Sequence, residues 1–267
     1  MNQDKEKWAG DQPDDSVDDV DICPGSNADD SADIARYISA EVRELYDVYS
    51  YRHAAAVLAT TFPEELKEIE KALLDFRITV RDIGFPGGNE SDMPKKFSRI
   101  LRPASWVETR IQGDLLVRMQ EYDEQFADGK ARKVKLPEIP PRVIANFIDG
   151  HKIDYVKGRV AFDLEWNSKD QTFDRDLYAL RAFHECGLIS AGVLVTRSAS
   201  LNPVFDKVPQ LDKSGKETGK NVRSKYGAST TWMGKLLYRL NAGRHGGCPV
   251  LVFGITPKLI SDWKPSP

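Results

Sequence analysis

The chain has 267 residues, 40% of them hydrophobic and 30% charged, with a formal net charge of -3. No apolar run reaches the ~18–20 residues that cross a bilayer, and the polar, acidic start is neither a secretory signal nor an Arg-rich transit peptide. Cys23, Cys186 and Cys248 are too few and too far apart for a disulfide framework or a CxxC zinc site, so a reducing cytoplasm is the expected location.

The negative total hides an asymmetry. Residues 1–35 hold eleven acids against two lysines, and the rest of the chain carries a net of +6. A basic body behind an acidic tail leaves a nucleic-acid partner open. Residues 1–32, rich in Asp and broken by Gly and Pro, have little to bury and read as a disordered acidic tail. Residues 33–267 read as a single folded domain.

From Ala35 to Tyr51, the apolar Ile38, Val42, Leu45 and Tyr46 fall at helical spacing. A second helix is predicted over Pro63–Phe76, with Pro63, Glu64 and Glu65 in its first turn and Leu66, Ile69, Leu73 and Phe76 in one stripe. Gly84–Pro94 reads as a loop, Trp106–Phe126 as a third helix carrying Leu115, Leu116 and Met119, and residues 127–142 as a polar, Pro-rich connection. The centre changes character. Ile153–Val156 and Arg159–Trp166 are short β-rich runs around Lys157-Gly158, a hairpin signal. A helix over Asp174–Cys186 stopped by Gly187, a strand Leu188–Arg197, a loop Asp206–Ser224, a helix Thr231–Leu240 and a strand Val250–Ile255 follow. This order indicates an α/β fold with a mixed central sheet flanked by helices.

The hairpin is the most informative stretch. Alternation on its second strand puts Ala161, Asp163, Glu165 and Asn167 on one side, and a two-residue Lys157-Gly158 turn puts Asp154 opposite Ala161 on that same side. One reading is a solvated ribbon face. Against it stands the strongly apolar neighbouring strand, beside which uncompensated acids are costly. A divalent cation supplies the compensation, and all-oxygen ligands suit Mg²⁺, or Mn²⁺ in its place, better than zinc. Such an ion beside a basic surface suggests phosphodiester hydrolysis.

The segment Asp154-Tyr155-Val156-Lys157-Gly158-Arg159-Val160-Ala161-Phe162-Asp163-Leu164-Glu165 resembles the active-site hairpin of the BglII/BstYI type II restriction endonucleases, members of the PD-(D/E)xK nuclease superfamily related to BamHI. Three further pieces, in the family's order, extend the resemblance over roughly residues 45–257. Asp47-Val48-Tyr49-Ser50 with the Pro63 helix resembles its N-terminal element. Ser105-Trp106-Val107-Glu108-Thr109-Arg110 resembles its Gly-Trp-x-Glu-Ser-Arg segment, and residues 248–255 its last core strand. The resemblance implies that Asp154 is the first metal-binding acid and Asp163 the second, where the family usually has Glu. Glu165 takes the position of the superfamily lysine, as a catalytic residue or a further metal ligand. Glu108, on the preceding helix, approaches as an additional acid. An alternative register makes Glu165 the second acid and Asn167 the lysine counterpart, with Lys169 as the cation if the strand continues.

The basic stretch 202–239 has eight Lys/Arg against three Asp/Glu. Within it Arg223, Lys225, Tyr226, Ser229, Thr230, Thr231 and Lys235 mix cations with hydroxyls ahead of a helix and are candidate DNA contacts; the resemblance places recognition elements nearby. His53, His151, His184 and His245 show no metal spacing and read as structural or surface residues. The glycine-rich pieces at 84–88 and 243–247 lack a P-loop ending and read as turns, the second able to bring Arg244 near phosphate. Asp174-Arg175-Asp176 reads as capping and local ion pairing.

As a whole the resemblance implies a Mg²⁺-dependent restriction endonuclease. It would be a homodimer matched to a short palindromic site in double-stranded DNA, with a GATC centre as in the relatives. A companion DNA methyltransferase would protect the same site in the host. Two other classes fit the residues: a sequence-insensitive metal-dependent repair or processing nuclease, and a non-catalytic DNA-binding module.

Overall fold

A computed structural model describes residues 25, 27–86, 92–148, 151–227 and 229–264. Most of the acidic tail lies outside these residues. Its described end is joined to the body: the Asp29 N–H donates to the Ser50 carbonyl at 2.8 Å, and Ala28 bridges Tyr51.

The first predicted helix is three elements. Helices α1 (Ser31–Tyr37) and α2 (Ala40–Leu45) lead into strand β1 (Tyr46–Tyr51). The aromatic and β-branched run of β1 pairs along its whole length with a distant strand, and that pairing overrides the helical spacing. Helices α3 (Ala54–Thr61) and α4 (Pro63–Asp75) follow, α4 burying Leu66, Ile69 and Leu73 as expected. The capped helix α5 (Val80–Gly84) and helix α6 (Asp92–Leu101) flank the 84–94 loop, whose middle lies outside the described residues.

The helix expected over Trp106–Phe126 is absent. In its place are strands β2 (Val107–Arg110), β3 (Gly113–Val117) and β4 (Tyr122–Ala127), and the expected connection contains β5 (Lys130–Lys135), before β6 (Arg142–Ile148). Leu115, Leu116 and Met119 are exposed, so no core stripe exists for a helix to bury; β3 pairs with β6 and β4 with β5 as two-stranded ribbons.

Strands β7 (Lys152–Lys157) and β8 (Val160–Glu165) form the expected hairpin. Next come helix α7 (Thr172–Glu185) and strand β9 (Ala191–Arg197). The loop expected at 206–224 is preceded by a short helix α8 (Asn202–Phe205) and contains a small ribbon, β10 (Pro209–Leu211) with β11 (Glu217–Asn221). Helix α9 (Met233–Asn241) and strand β12 (Val250–Ile255) close the fold.

The central sheet has the order β1-β12-β9-β8-β7-β2. Its inner pairs β12–β9 and β9–β8 are parallel and the outer pairs antiparallel, the mixed sheet the sequence indicated. Every residue of β9 and β12 is buried, as befits strands covered on both faces. One face carries Tyr46, Phe162, Val193 and Phe253 and packs against the helices around α3, α4 and α6. The other carries Ala161, Leu194, Val250 and Val252 under Phe173, Leu177 and Leu180 of α7 and Leu236 and Leu237 of α9. Alternation therefore sends Asp163 and Glu165, which share a face with Ala161, toward α7.

Candidate active site

The hairpin turn sits one residue later than expected. Its register is Tyr155↔Phe162, Val156↔Ala161 and Lys157↔Val160, so Gly158 and Arg159 are the turn residues. Gly158 has φ 54° at the first turn position, the glycine placement of a type II′ hairpin. The change moves the pairing by two residues. Asp154 keeps its face but now comes opposite Asp163 rather than Ala161, and the Asp154 N–H donates to Asp163 Oδ1 at 2.7 Å.

On its other side β7 pairs with β2 through Val107↔Val156 and Thr109↔Ile153. One residue of β2, Glu108, therefore faces two of β7, Asp154 and Tyr155. This is a β-bulge placed at the first acid, where such irregularities re-aim side chains. It puts Ile153 with the α7-side cluster and Tyr155 with the opposite one. Glu108 lies on this edge strand, not on a helix. It is exposed and takes a hydrogen bond of 2.7 Å from Lys152 Nζ, which holds its carboxyl below the usual range.

A fourth acid joins from α7. Asp176 is buried, with Oδ1 at 3.2 Å from His151 Nε2 and 3.5 Å from Arg175 Nη2. Its neighbour Asp174 forms ion pairs as expected, but with the distant Arg239 at 3.0 Å and with Arg244 rather than locally, and among the described residues it caps no backbone group. Asp176, beyond its contact with Arg175, is an acid turned inward. Three residues, or nearly one turn, separate it from Phe173, and it points with the packed stripe of α7 toward the sheet. His151, expected to be structural, is thereby drawn into the cluster. Sequence spacing gave no hint of either residue, because it does not say how α7 lies on β8.

Charge repulsion in this interior is strong. Burial and then Asp176 push the Asp163 and Asp154 carboxyls up, with a further push between the two of them for Asp163. Burial and then Asp176 push Glu165 up to about 8, opposed in part by a hydrogen bond with Ser168. Among the described residues, Glu165 Oε2, Asn167 Oδ1 and Asp176 Oδ2 are buried without a hydrogen-bond partner. Among the described residues no three Asp, Glu, His or Cys side chains are already gathered as a ligand set. Several are instead engaged by protein donors: Asp163 by the Asp154 N–H, Asp176 by His151, and Glu108 by Lys152. Even so, orphaned oxygens among mutually repelling acids fit a hard divalent cation, which binds oxygen donors and removes the repulsion.

The strand does not continue to the alternative cation. Strand β8 ends at Glu165, and exposed Lys169 instead bridges Thr230 on a second, irregular pairing of residues 168–170 with 229–231. Asn167 remains beside the acids in sequence, half-buried.

The seven candidate DNA contacts divide. Ser229 is exposed, and Arg223, Thr230 and Lys235 are partly so. Thr231 is fully buried and Tyr226 nearly so, with the Thr231 hydroxyl accepting the Ser168 N–H at 3.1 Å and Tyr226 Oη donating to the Ile83 carbonyl at 3.2 Å. Lys225 Nζ donates to the carbonyls of Ile83 and Phe85, and burial lowers it to about 8. These three residues build the support of the loop rather than its outer surface. Arg244 is held by Asp174 over the Tyr238 ring.

A family model described as restriction endonuclease BglII/BglIII matches residues 46–255, the span from β1 to β12. No curated protein matches the chain. Among the described residues no helix is long and apolar enough to cross a membrane.

Proposed function

The chain belongs to the restriction endonuclease BglII/BglIII family of DNA-cutting enzymes. From that premise we propose that it is a type II enzyme, a Mg²⁺-dependent homodimer that cuts both strands of a short palindromic site, with a GATC centre as the first site to try. The observation that carries the proposal is the juxtaposition of Asp154 and Asp163 across one hairpin, with Glu165 and Asp176 on the same side of the sheet, inside the span that the family matches.

Asp154 and Asp163 would hold Mg²⁺, or Mn²⁺ in its place, with Asp176 and Glu165 supplying the remaining protein oxygens. The ion, when bound, would polarise the scissile phosphate and lower the pKa of water. Glu165, pushed up to about 8 by burial and Asp176 while no cation offsets the acids, would take the proton of the attacking water as the carboxylate that a bound cation favours. Water would attack in line with the leaving oxygen. Glu108 and Lys152, exposed beside Asp154, would meet the DNA backbone at the rim, the lysine offsetting the acid's charge. Ser229, Arg223 and Lys235 form the accessible part of the recognition surface, while the Thr230 hydroxyl is engaged by Arg197 and the Gly227 carbonyl.

Two-fold symmetry in the site asks for two-fold symmetry in the protein. Tyr178 on α7 and Tyr238 on α9, 52% and 66% exposed, are large side chains that a second protomer would cover. A methyltransferase acting on the same site would protect the host, and such a pair works in the cytoplasm.

Digestion of mixed-sequence DNA with Mg²⁺, followed by sequencing of the ends, tests the proposal. A single palindrome around every end is expected. Ends without common sequence would favour the processing nuclease, and no ends at all a binding module.

A further inference from the structure

Arg197, the last residue of β9, is 1% exposed, and among the described residues no carboxylate pairs with it. A buried guanidinium without a counter-charge is costly, and a fold in need of bulk alone would place Met or Leu there. Burial lowers it to about 10. What holds it is a set of neutral acceptors and rings. Nε donates to the carbonyls of Trp166 at 2.8 Å and Thr231 at 3.1 Å, and Nη2 donates to Thr230 Oγ1 at 2.6 Å. Phe205 and Tyr226 lie against the guanidinium with ring centres 5.4 and 4.9 Å away, and Trp166 Nε1 donates to Tyr226 Oη.

The acceptors belong to two different segments. Trp166 directly follows Glu165, whose own carbonyl is held by Thr196 Oγ1 at 2.7 Å. Thr230 and Thr231 belong to the loop ahead of α9, of which Ser229 is exposed and Thr230 partly so. The segments also meet directly, through Thr231 N–H to the Ser168 carbonyl and Asp170 N–H to the Ser229 carbonyl. We infer that Arg197 is a positioning residue that couples the 229–231 loop to the strand end carrying Glu165, so that pressure of the correct DNA on the loop sets the catalytic carboxylate. The inference rests on the function proposed above and adds to it the link between reading and cutting. The planar group matters here: Nε is shared between the Trp166 and Thr231 carbonyls while Nη2 reaches Thr230, directions fixed in one rigid plane that a flexible lysine ammonium does not hold.

The test measures DNA affinity and cleavage rate at the cleaved palindrome and at singly substituted sites, for the wild type, Arg197→Lys, Thr230→Val and Thr230→Ser. Coupling predicts that Arg197→Lys and Thr230→Val lose about tenfold in kcat at the palindrome, within the usual range for coupled sites. Their affinity stays within about twofold, and rates at substituted sites change little, so discrimination narrows. Thr230→Ser, which keeps the acceptor, behaves as wild type. If Arg197→Lys does not fold, the Thr230 pair decides the matter. Rates that fall in parallel at all sites, an unchanged kcat, or a loss in affinity alone would overturn the coupling. A wild type that cuts without sequence preference would overturn the parent reading as well.

Discussion

Asp154, Asp163 and Glu165 were readable as a set because a strand's two-residue period sorts side chains by face without knowledge of anything distant. Asp176 was not, since its place depends on how α7 packs over β8, and the sequence around it reads equally well as capping. Its burial and orphaned Oδ2 make it a test of the site. Asp176→Asn should lower Mg²⁺-dependent cleavage by about ten- to a hundredfold, the usual cost of disturbing a metal's surroundings, while DNA binding measured without metal holds. Unchanged cleavage would remove Asp176 from the site. His245 carries a separate, structural prediction. It is buried against the edge of Tyr51 with neither ring nitrogen bonded among the described residues, and burial, then Arg52, depress it to about 4. The unfolded chain, with an ordinary imidazole near 6.5, binds more protons between about 4 and 6.5. The stability that neutral His245 contributes is therefore complete above that window and lost as pH falls through it. Thermal melts between pH 7.5 and 5 should show a steeper loss for the wild type than for His245→Phe; parallel losses would contradict the assignment.

At the scale of elements, strands β9 and β12 and helices α4 and α7 were legible, because continuous apolar runs and helical stripes follow from local burial. Residues 106–126 were not. Their strands pair with partners as distant as Val156 for Val107, and the leucines of β3 are exposed, so neither period identifies them. The first helix failed for the same reason, β1 being held by the last strand of the chain. One close approach governs where Asp176 lies. A Cβ on Gly192, the second residue of β9, would stand 2.7 Å from Leu180 Cδ1 on α7. Gly192→Ala should push α7 off the sheet, cost about 1–3 kcal/mol of stability as overpacking does, and slow cleavage together with it. Shortening the obstacle in Gly192→Ala/Leu180→Ala should recover part of the cleavage rate. Failure of the double variant to recover any would show that α7 does not set the site.

For the whole molecule, the fold places a run of repelling acids on the α7 face of its sheet, next to the irregular pairing of 168–170 with 229–231. The net charge of -3 conceals this arrangement, since the acidic N-terminus and the basic remainder nearly cancel. The family span, β1 to β12, covers the entire central sheet and helices α3 to α9, so site and scaffold belong together. Neither the bulge that aims Asp154 nor the α7 acid could be seen in the sequence, yet both converge on the hairpin that could. The most direct test of the account is cleavage of a plasmid by the wild type and by Asp163→Asn, with and without Mg²⁺. The account predicts discrete fragments from the wild type only when Mg²⁺ is present, and from Asp163→Asn a rate lower by about a thousandfold, the upper scale for removing one electrostatic contact to a transition state. Wild-type rates from Asp163→Asn, or equal cutting without the metal, would contradict it.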